Sequence, residues 1–316
     1  MSWIRQILAD LDPRTDGQPA LDRVRQVASA SGARVELFLC ASLEHTTGNL
    51  FFDAERIEQT RAEYMAGLEQ WLDKCAGALS ASGIEVHTSI AWHAPRFEAI
   101  LDKAREIDAD LILRSARAHS KLERLLISAT DWELIRRSER TVWLVKRRPA
   151  SAASAINVLA AVDPLHTEEK KVGLDKRILE TAAAIAALTG GELHLFHAWQ
   201  PGAAIAPAIA AGPHVPMPVV RVDAELIEGM RKEREKLLAN LAAPFDLPDK
   251  RLHLREGAVT DELDEVVDAA QIDVVVGGGV SRGRLERLVI GSTSEAILES
   301  VDCDVVVVKP GKFGAR

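Results

Sequence analysis

A glycine-rich segment near the C-terminus has the residue types that phosphate binding requires. Residues 274–276 are all valine, which predicts a short buried strand, and three glycines follow at 277–279. Residues 291–293 are Gly-Ser-Thr and precede a helical run at 295–300. A glycine turn after a strand, with hydroxyl residues at a helix start, presents backbone N–H groups and hydroxyls to a phosphate. The structural alternative is a tight turn followed by an ordinary helix N-cap.

A second, altered copy of this segment occurs earlier in the chain. Residues 110–146 align without gaps on residues 273–309, and both copies contain Leu-Glu-Arg-Leu. Both halves also have Asp-Pro after their first predicted strand, at residues 12–13 and 163–164. Such self-similarity indicates a tandem duplication. We therefore predict two domains, at residues 1–148 and 154–316, joined by a short polar linker.

Alternation of short apolar strands with helices predicts the fold class and narrows the function. The pattern is typical of parallel βαβ units, so we expect two tandem α/β domains with doubly wound, five-stranded parallel sheets. The net charge of -8 and the 4% aromatic content argue against binding to nucleic acid or to an anionic membrane surface. Three widely spaced cysteines, no N-terminal apolar segment and no run long enough to span a bilayer predict a reduced, cytoplasmic protein.

The combined motifs resemble those of the universal stress protein family. They are an Asp after the first strand, a glycine turn after the fourth, Gly-Ser/Thr, and a last strand ending in Val-x-Lys. Two copies in one chain resemble the tandem members found in Gram-negative bacteria. The resemblance implies adenine nucleotide alpha hydrolase-like domains with strand order 3-2-1-4-5 and a ligand at the switch point. It also implies that the fifth strands, residues 142–145 and 305–308, pair as an internal pseudo-dimer. Whether the chain also forms a homodimer is left open.

The same resemblance implies a nucleotide site in the second half. Asp163 and the main chain around Ala198 would hold the adenosine of ATP. The phosphates would contact Gly278, Ser281, Gly291, Ser292 and Thr293. Ser281 replaces a glycine of the family motif, and a positive φ there would cost about 1 kcal/mol or more. ATP binding and a purely structural turn are equal alternatives for this half.

The first half has lost the corresponding glycines. The aligned positions hold Ser115, Ala118, Ser128 and Ala129. The turn instead carries Arg114, Arg117 and His119, which leave little room for a phosphate. We expect no ATP in this half, and we interpret the basic turn as a solvated loop, with binding of another anion as the alternative.

These observations predict a binding protein that is not an enzyme. The expected function is a stress-response module with a small-molecule ligand and no metal site. One alternative is a slow ATPase, although no metal-and-base pair lies near Gly278 or Gly291 in the sequence. The other is a carrier of an apolar or acyl ligand, suggested by the apolar, proline-rich residues 201–222.

Overall fold

The computed structural model describes residues 3–41, 54–118, 125–147, 155–165, 169–201, 223–279 and 292–309. In the first half the strands are β1 (Gln6–Asp10), β2 (Arg34–Ala41), β3 (Val86–Trp92), β4 (Leu111–Ser115), β5 (Arg117–Ala118), β6 (Leu125–Leu126) and β7 (Thr141–Val145). The helices of this half are α1 (Pro19–Ser31), α2 (Ala54–Ser80), α3 (Arg96–Glu106) and α4 (Ala129–Arg137).

The second half repeats this order of elements. Its strands are β8 (Val158–Ala161), β9 (Leu193–Trp199), β10 (Leu252–Glu256), β11 (Val274–Gly278) and β12 (Asp304–Val308). Its helices are α5 (Glu169–Thr189), α6 (Ala224–Ala242), α7 (Val259–Ala269) and α8 (Ser292–Ser300). Short 3-10 turns at Ala243–Phe245 and Asp249–Arg251 connect α6 to β10.

The two halves share one ten-stranded sheet in the order β10-β9-β8-β11-β12-β7-β4-β1-β2-β3. Within each half of this sheet the neighbouring strands are parallel. When the five sheet strands of each half are counted along the chain, their order is 3-2-1-4-5, and β7 and β12 are the fifth strands. The two fifth strands meet antiparallel at the centre, where Val305 pairs with Leu144 and Val306 with Trp143. This arrangement confirms the predicted fold and the internal pseudo-dimer, and it removes an apolar strand from an exposed sheet edge.

Helices cover both faces of the sheet. Helices α1, α2, α5 and α6 pack on one face, and helices α3, α4, α7 and α8 on the other. The strands are therefore buried on both sides, which explains their continuous apolar sequences. The three valines of β11 are fully buried. Among the described residues, no helix is long and apolar enough to cross a membrane.

The helical run predicted at residues 295–300 is α8, which begins three residues earlier, at Ser292. Helix α5 begins at Glu169. Its first turn contains Glu169, Lys170 and Lys171, which favour helix without adding to an apolar stripe. Helix α4 begins at Ala129 because Ser128 caps it, accepting a hydrogen bond from the backbone N–H of Asp131.

Candidate functional site

The switch point of each half lies between its first and fourth strands. In the first half, Asp10 at the end of β1 pairs with Arg114 of β4. In the second half, Ala160 pairs with Val276, so that Ala161 and Gly277 follow at the equivalent position. Ligands of doubly wound sheets bind beyond these carboxyl ends. The two positions can therefore be compared residue by residue.

A buried ion cluster occupies the switch point of the first half. The Arg114 guanidinium, 3% exposed, donates to Asp10 and, at 2.5 Å, to Asp131 of α4. Neither carboxylate side chain is exposed. Burial alone would lower the pKa of Arg114, but the charges of Asp131 and Asp10 raise it above its ordinary value. The Arg114 guanidinium is therefore always charged, and it lies between the end of β1 and the first turn of α4.

A second arginine extends this cluster over the end of β1. Arg96, at the start of α3, donates to Asp10 Oδ1 at 2.8 Å and to Asp12 Oδ2 at 3.0 Å. Its guanidinium also donates to the carbonyl of Leu11 at 2.8 Å. Arg14 donates to both carboxylate oxygens of Asp12, each at 3.0 Å. Asp12, the counterpart of Asp163, is thus engaged by two guanidinium groups of its own half.

The solvated-loop interpretation was wrong for Arg114. The side chain points into the protein because Asp10 and Asp131, distant in sequence, converge on it at the switch point. A buried, paired guanidinium takes the place that a ligand would need. The side chain of Arg117, and His119, lie outside the described residues.

The residues at the equivalent positions of the second half are uncharged. Gly277 stands where Arg114 stands, and Ala161 stands where Asp10 stands. A Cβ added to Gly277 would meet no described atom within 4 Å. None of the described residues therefore fills the space beside Gly277, on the side of the sheet where the first half holds its guanidinium.

Asp163 lies just past the end of β8, two residues after Ala161. It is partly buried, its backbone N–H donates to Asp175 Oδ1 at 3.2 Å, and its Oδ1 accepts from Leu165 N–H at 3.4 Å. The main chain of Ala198 lies in the ladder of β9 with β10, opposite Arg255. Both residues are at the carboxyl edge of the second half, as the predicted adenosine site requires.

Gly278 has a packing role that the sequence did not reveal. A Cβ there would lie 2.6 Å from Leu174 Cδ2 and 3.2 Å from Ile178 Cδ1, both on α5. The glycine therefore permits close contact between β11 and α5. In the first half, Ser115 at this position is buried and accepts a hydrogen bond from Ala20 N–H of α1 at 3.0 Å.

The remaining predicted phosphate contacts are only partly described. Ser292 and Thr293 form the first turn of α8, whose free backbone N–H groups suit an anion. Their side chains, together with Ser281 and Gly291, lie outside the description. The predicted apolar loop also falls outside it, at residues 202–222.

Sequence reasoning missed Arg234, which lies near Asp163. This guanidinium is 4.3 Å from the ring centroid of Trp199, and its Nη1 donates to the carbonyl of Met230 at 2.9 Å. Burial lowers the pKa of Arg234, whereas the charges of Glu233 and Asp163 raise it. An arginine between Met230 and Leu238 on the apolar stripe of α6 was the available signal.

The described residues contain no group of three or more His, Cys, Asp or Glu side chains able to hold a metal ion. His194 and His253 lie closest to such an arrangement, with Nδ1 and Nε2 at 3.0 Å across β9 and β10. Their rings are stacked and form a pair rather than a ligand set.

Comparison with known proteins identifies the family. The family model described as "Universal stress protein family" matches residues 4–146 and again residues 157–309. Universal stress protein E of Salmonella typhi and that of Escherichia coli (strain K12) are each 28% identical over 328 residues, covering 99% of this chain and 96% of the relative.

Solved structures show the same two-domain fold. A putative universal stress protein from Pseudomonas aeruginosa UCBPP-PA14 has a TM-score of 0.72 at 23% identity, covering 97% of this chain and 94% of that one. A universal stress protein from Archaeoglobus fulgidus DSM 4304 has a TM-score of 0.66 at 17% identity, covering 97% and 98%. Since the family model matches both halves, this chain belongs to the universal stress protein family and carries two copies of its domain.

Proposed function

We propose that the protein is a non-catalytic binding module that holds an adenine nucleotide, ATP, in its second half only. The observation that carries this proposal is the space beside Gly277 that no described residue fills, at the position where Arg114 closes the first half. A phosphate needs room and N–H donors rather than a fixed guanidinium paired to carboxylates. The second half meets that requirement, and the first half does not.

The surroundings of Gly277 support the same assignment. The partly buried Asp163 carboxylate offers hydrogen-bond acceptors for an adenosine, and the backbone of the first turn of α8 offers donors for phosphates. Among the described residues, Cys40, Cys75 and Cys303 form no disulfide, which suits a reduced cytoplasmic compartment.

A ligand of the folded state would stabilise the pseudo-dimer. Binding to the native protein but not to the unfolded chain raises stability in proportion to the logarithm of ligand concentration above Kd. Strand β12 follows α8 directly and pairs with β7 of the first half. We therefore propose that nucleotide level sets the stability of the central strand pair, and that this is the regulatory signal.

The test combines ligand identification with titration. Mass spectrometry of small molecules released from the natively purified protein should reveal an adenine nucleotide, and calorimetric titration with ATP and Mg²⁺ should show one site per chain. Gly277→Val should abolish binding while the protein stays folded, because its side chain would enter the space beside Gly277. Gly229→Val is the control, since Gly229 also has no described atom within 4 Å of an added Cβ but lies on α6.

Three results would contradict the proposal. Unchanged ATP binding in Gly277→Val would show that the space is not the nucleotide site. Steady hydrolysis of ATP, lost in Gly277→Val, would make the protein a slow ATPase. A co-purified acyl compound without affinity for ATP would make it a carrier of an apolar ligand.

A further inference from the structure

Near the centre of the sheet, one lysine of each half contacts the other half. Lys146, directly after β7, donates from Nζ to the carbonyls of Leu298 and Val301, each at 2.6 Å. These carbonyls belong to the C-terminal end of α8 in the second half. Lys309, directly after β12, donates in the same way to the carbonyl of Ile135 in α4 of the first half. Each half thus caps the last helix of the other.

Both lysine side chains are buried, so leaving their ammonium groups without hydrogen-bond partners would lower the stability of the fold. Lys146 is 6% and Lys309 4% exposed. Burial lowers the pKa of each, that of Lys309 to about 8, while Cys303, Asp302 and Asp304 raise that of Lys146. The C-terminal end of a helix carries partial negative charge, which favours a cation there. The hydrogen bonds to the helix-end carbonyls therefore compensate for the burial of these two ammonium groups.

The position of Lys146 is fixed by its own main chain. Its backbone N–H donates to Asp304 Oδ1 at 2.9 Å, and that of Arg147 does so at 3.1 Å. Asp304 Oδ2 accepts from Trp143 Nε1 at 3.1 Å and from Arg23 of α1 at 2.9 Å. The fully buried Asp304 carboxylate therefore joins β12 of the second half to β7 and α1 of the first half, and Lys146 projects from a rigid base.

The two capped helices differ at their opposite ends. The N-terminus of α4 is closed by Ser128 and Asp131, and Asp131 also holds Arg114. The N-terminus of α8 begins at Ser292 and is the end that would meet the phosphates. The half that binds no nucleotide thus supplies the cap for the helix that the other half uses.

We propose that Lys146 is a positioning residue of the nucleotide site, acting in trans from the first half by fixing α8 at its C-terminal end. This inference rests on the proposed function. Helix α8 has only 9 residues, and helices this short are marginal unless packing and end contacts hold them. Loss of the cap leaves two carbonyls unsatisfied and lets the helix shift, which moves the N–H groups at its other end.

The first test is nucleotide affinity in the full chain. Lys146→Met should weaken ATP binding about three- to tenfold, the effect of losing one helix-end charge contact. Lys146→Arg, which keeps a cation, should restore part of the affinity. Arg96→Met is the control, because Arg96 serves only the first-half ion cluster and its loss should leave ATP affinity unchanged. Wild-type affinity in Lys146→Met would overturn the inference.

The second test needs no ligand and separates this inference from the proposed function. Hydrogen exchange of the unliganded protein should be faster throughout residues 292–300 in Lys146→Met, including the first turn. Lys309→Met should speed exchange in residues 129–137 instead, and Arg96→Met in neither helix. If wild-type protein binds no ATP, the proposed function fails, yet exchange still decides the role of Lys146. Unchanged exchange in the first turn of α8 in Lys146→Met would refute positioning.

Discussion

The two switch points have the same backbone arrangement and opposite contents. In the first half, Arg114 lies between Asp10 and Asp131, and all three side chains are buried. In the second half, Ala161 and Gly277 are uncharged at the equivalent positions, and no described residue fills the space beside Gly277. The comparison shows that a few substitutions at strand ends suffice to change a potential ligand site into a structural ion cluster without changing the sheet.

The first-half cluster is balanced in charge. Its carboxylates are Asp10, Asp12 and Asp131, and its guanidinium groups belong to Arg14, Arg96 and Arg114. A balanced buried cluster adds little net stability over an apolar core, but removal of one member leaves its partners buried and unpaired. The first half should therefore tolerate loss of the whole cluster better than loss of one ion.

The largest expected effect is loss of the central cation. Arg114→Met removes the guanidinium that pairs with the fully buried Asp131 and Asp10, leaving Asp10 with Arg96 alone, and it should lower the free energy of unfolding by about 3–5 kcal/mol. Guanidinium denaturation followed by circular dichroism measures this change. Arg14→Met is the control, since the Arg14 side chain is 65% exposed and its pair should contribute at most about 1 kcal/mol. Equal losses in the free energy of unfolding for Arg114→Met and Arg14→Met would show that burial does not strengthen the ion pairs of Arg114.

A smaller change in stability should distinguish a packing role from a binding role at two neighbouring glycines of the second half, Gly278 and Gly277. Gly278→Val places a side chain against Leu174 and Ile178 of α5 and should destabilise the protein by about 1–3 kcal/mol. Gly277→Val should leave the unfolding midpoint near that of the wild type, because no described atom lies within 4 Å of its added Cβ. Denaturation of the two variants side by side is the measurement. A destabilisation confined to Gly277→Val would reverse our assignment of the two positions.

The repeated fold could be predicted from the sequence because it rests on internal similarity and on periodic patterns within short segments. The gapless match of residues 110–146 with 273–309 and the alternation of strands and helices led directly to two α/β halves. The first-half ion cluster could not be predicted in this way, since Asp10 and Arg114 meet only after the sheet forms. The packing role of Gly278 was hidden for the same reason, because it depends on where α5 crosses β11.

The predicted nucleotide contacts stay predictions. Asp163, Ala198 and Gly278 lie along the carboxyl edge of the second half. Their chemical roles depend on side-chain and ligand geometry that no periodic pattern encodes. Arg234 illustrates this, since its contact with Trp199 marks it as part of that edge.

The smallest expected effect compares the outer strand pairs of the two halves. At equivalent register positions the first half has Glu36 and Ser89, whose Oγ donates to the Glu36 carboxylate at 2.5 Å. The second half has the stacked pair His194 and His253. Burial, with a smaller contribution from His194, lowers the pKa of His253 from 6.5 to about 4.

This histidine pair should make the second half sensitive to acid. Because the pKa of His253 is lower in the folded protein, the unfolded chain takes up a proton first as the pH falls. The associated stability is present above about pH 6.5 and is lost as the pH falls toward about 4. Thermal unfolding between these values should show a smaller decrease in Tm for His253→Gln than for wild type. His87→Gln, at a side chain that is 64% exposed, should follow the wild-type curve. Parallel curves for wild type and His253→Gln would show that the acid sensitivity does not come from His253.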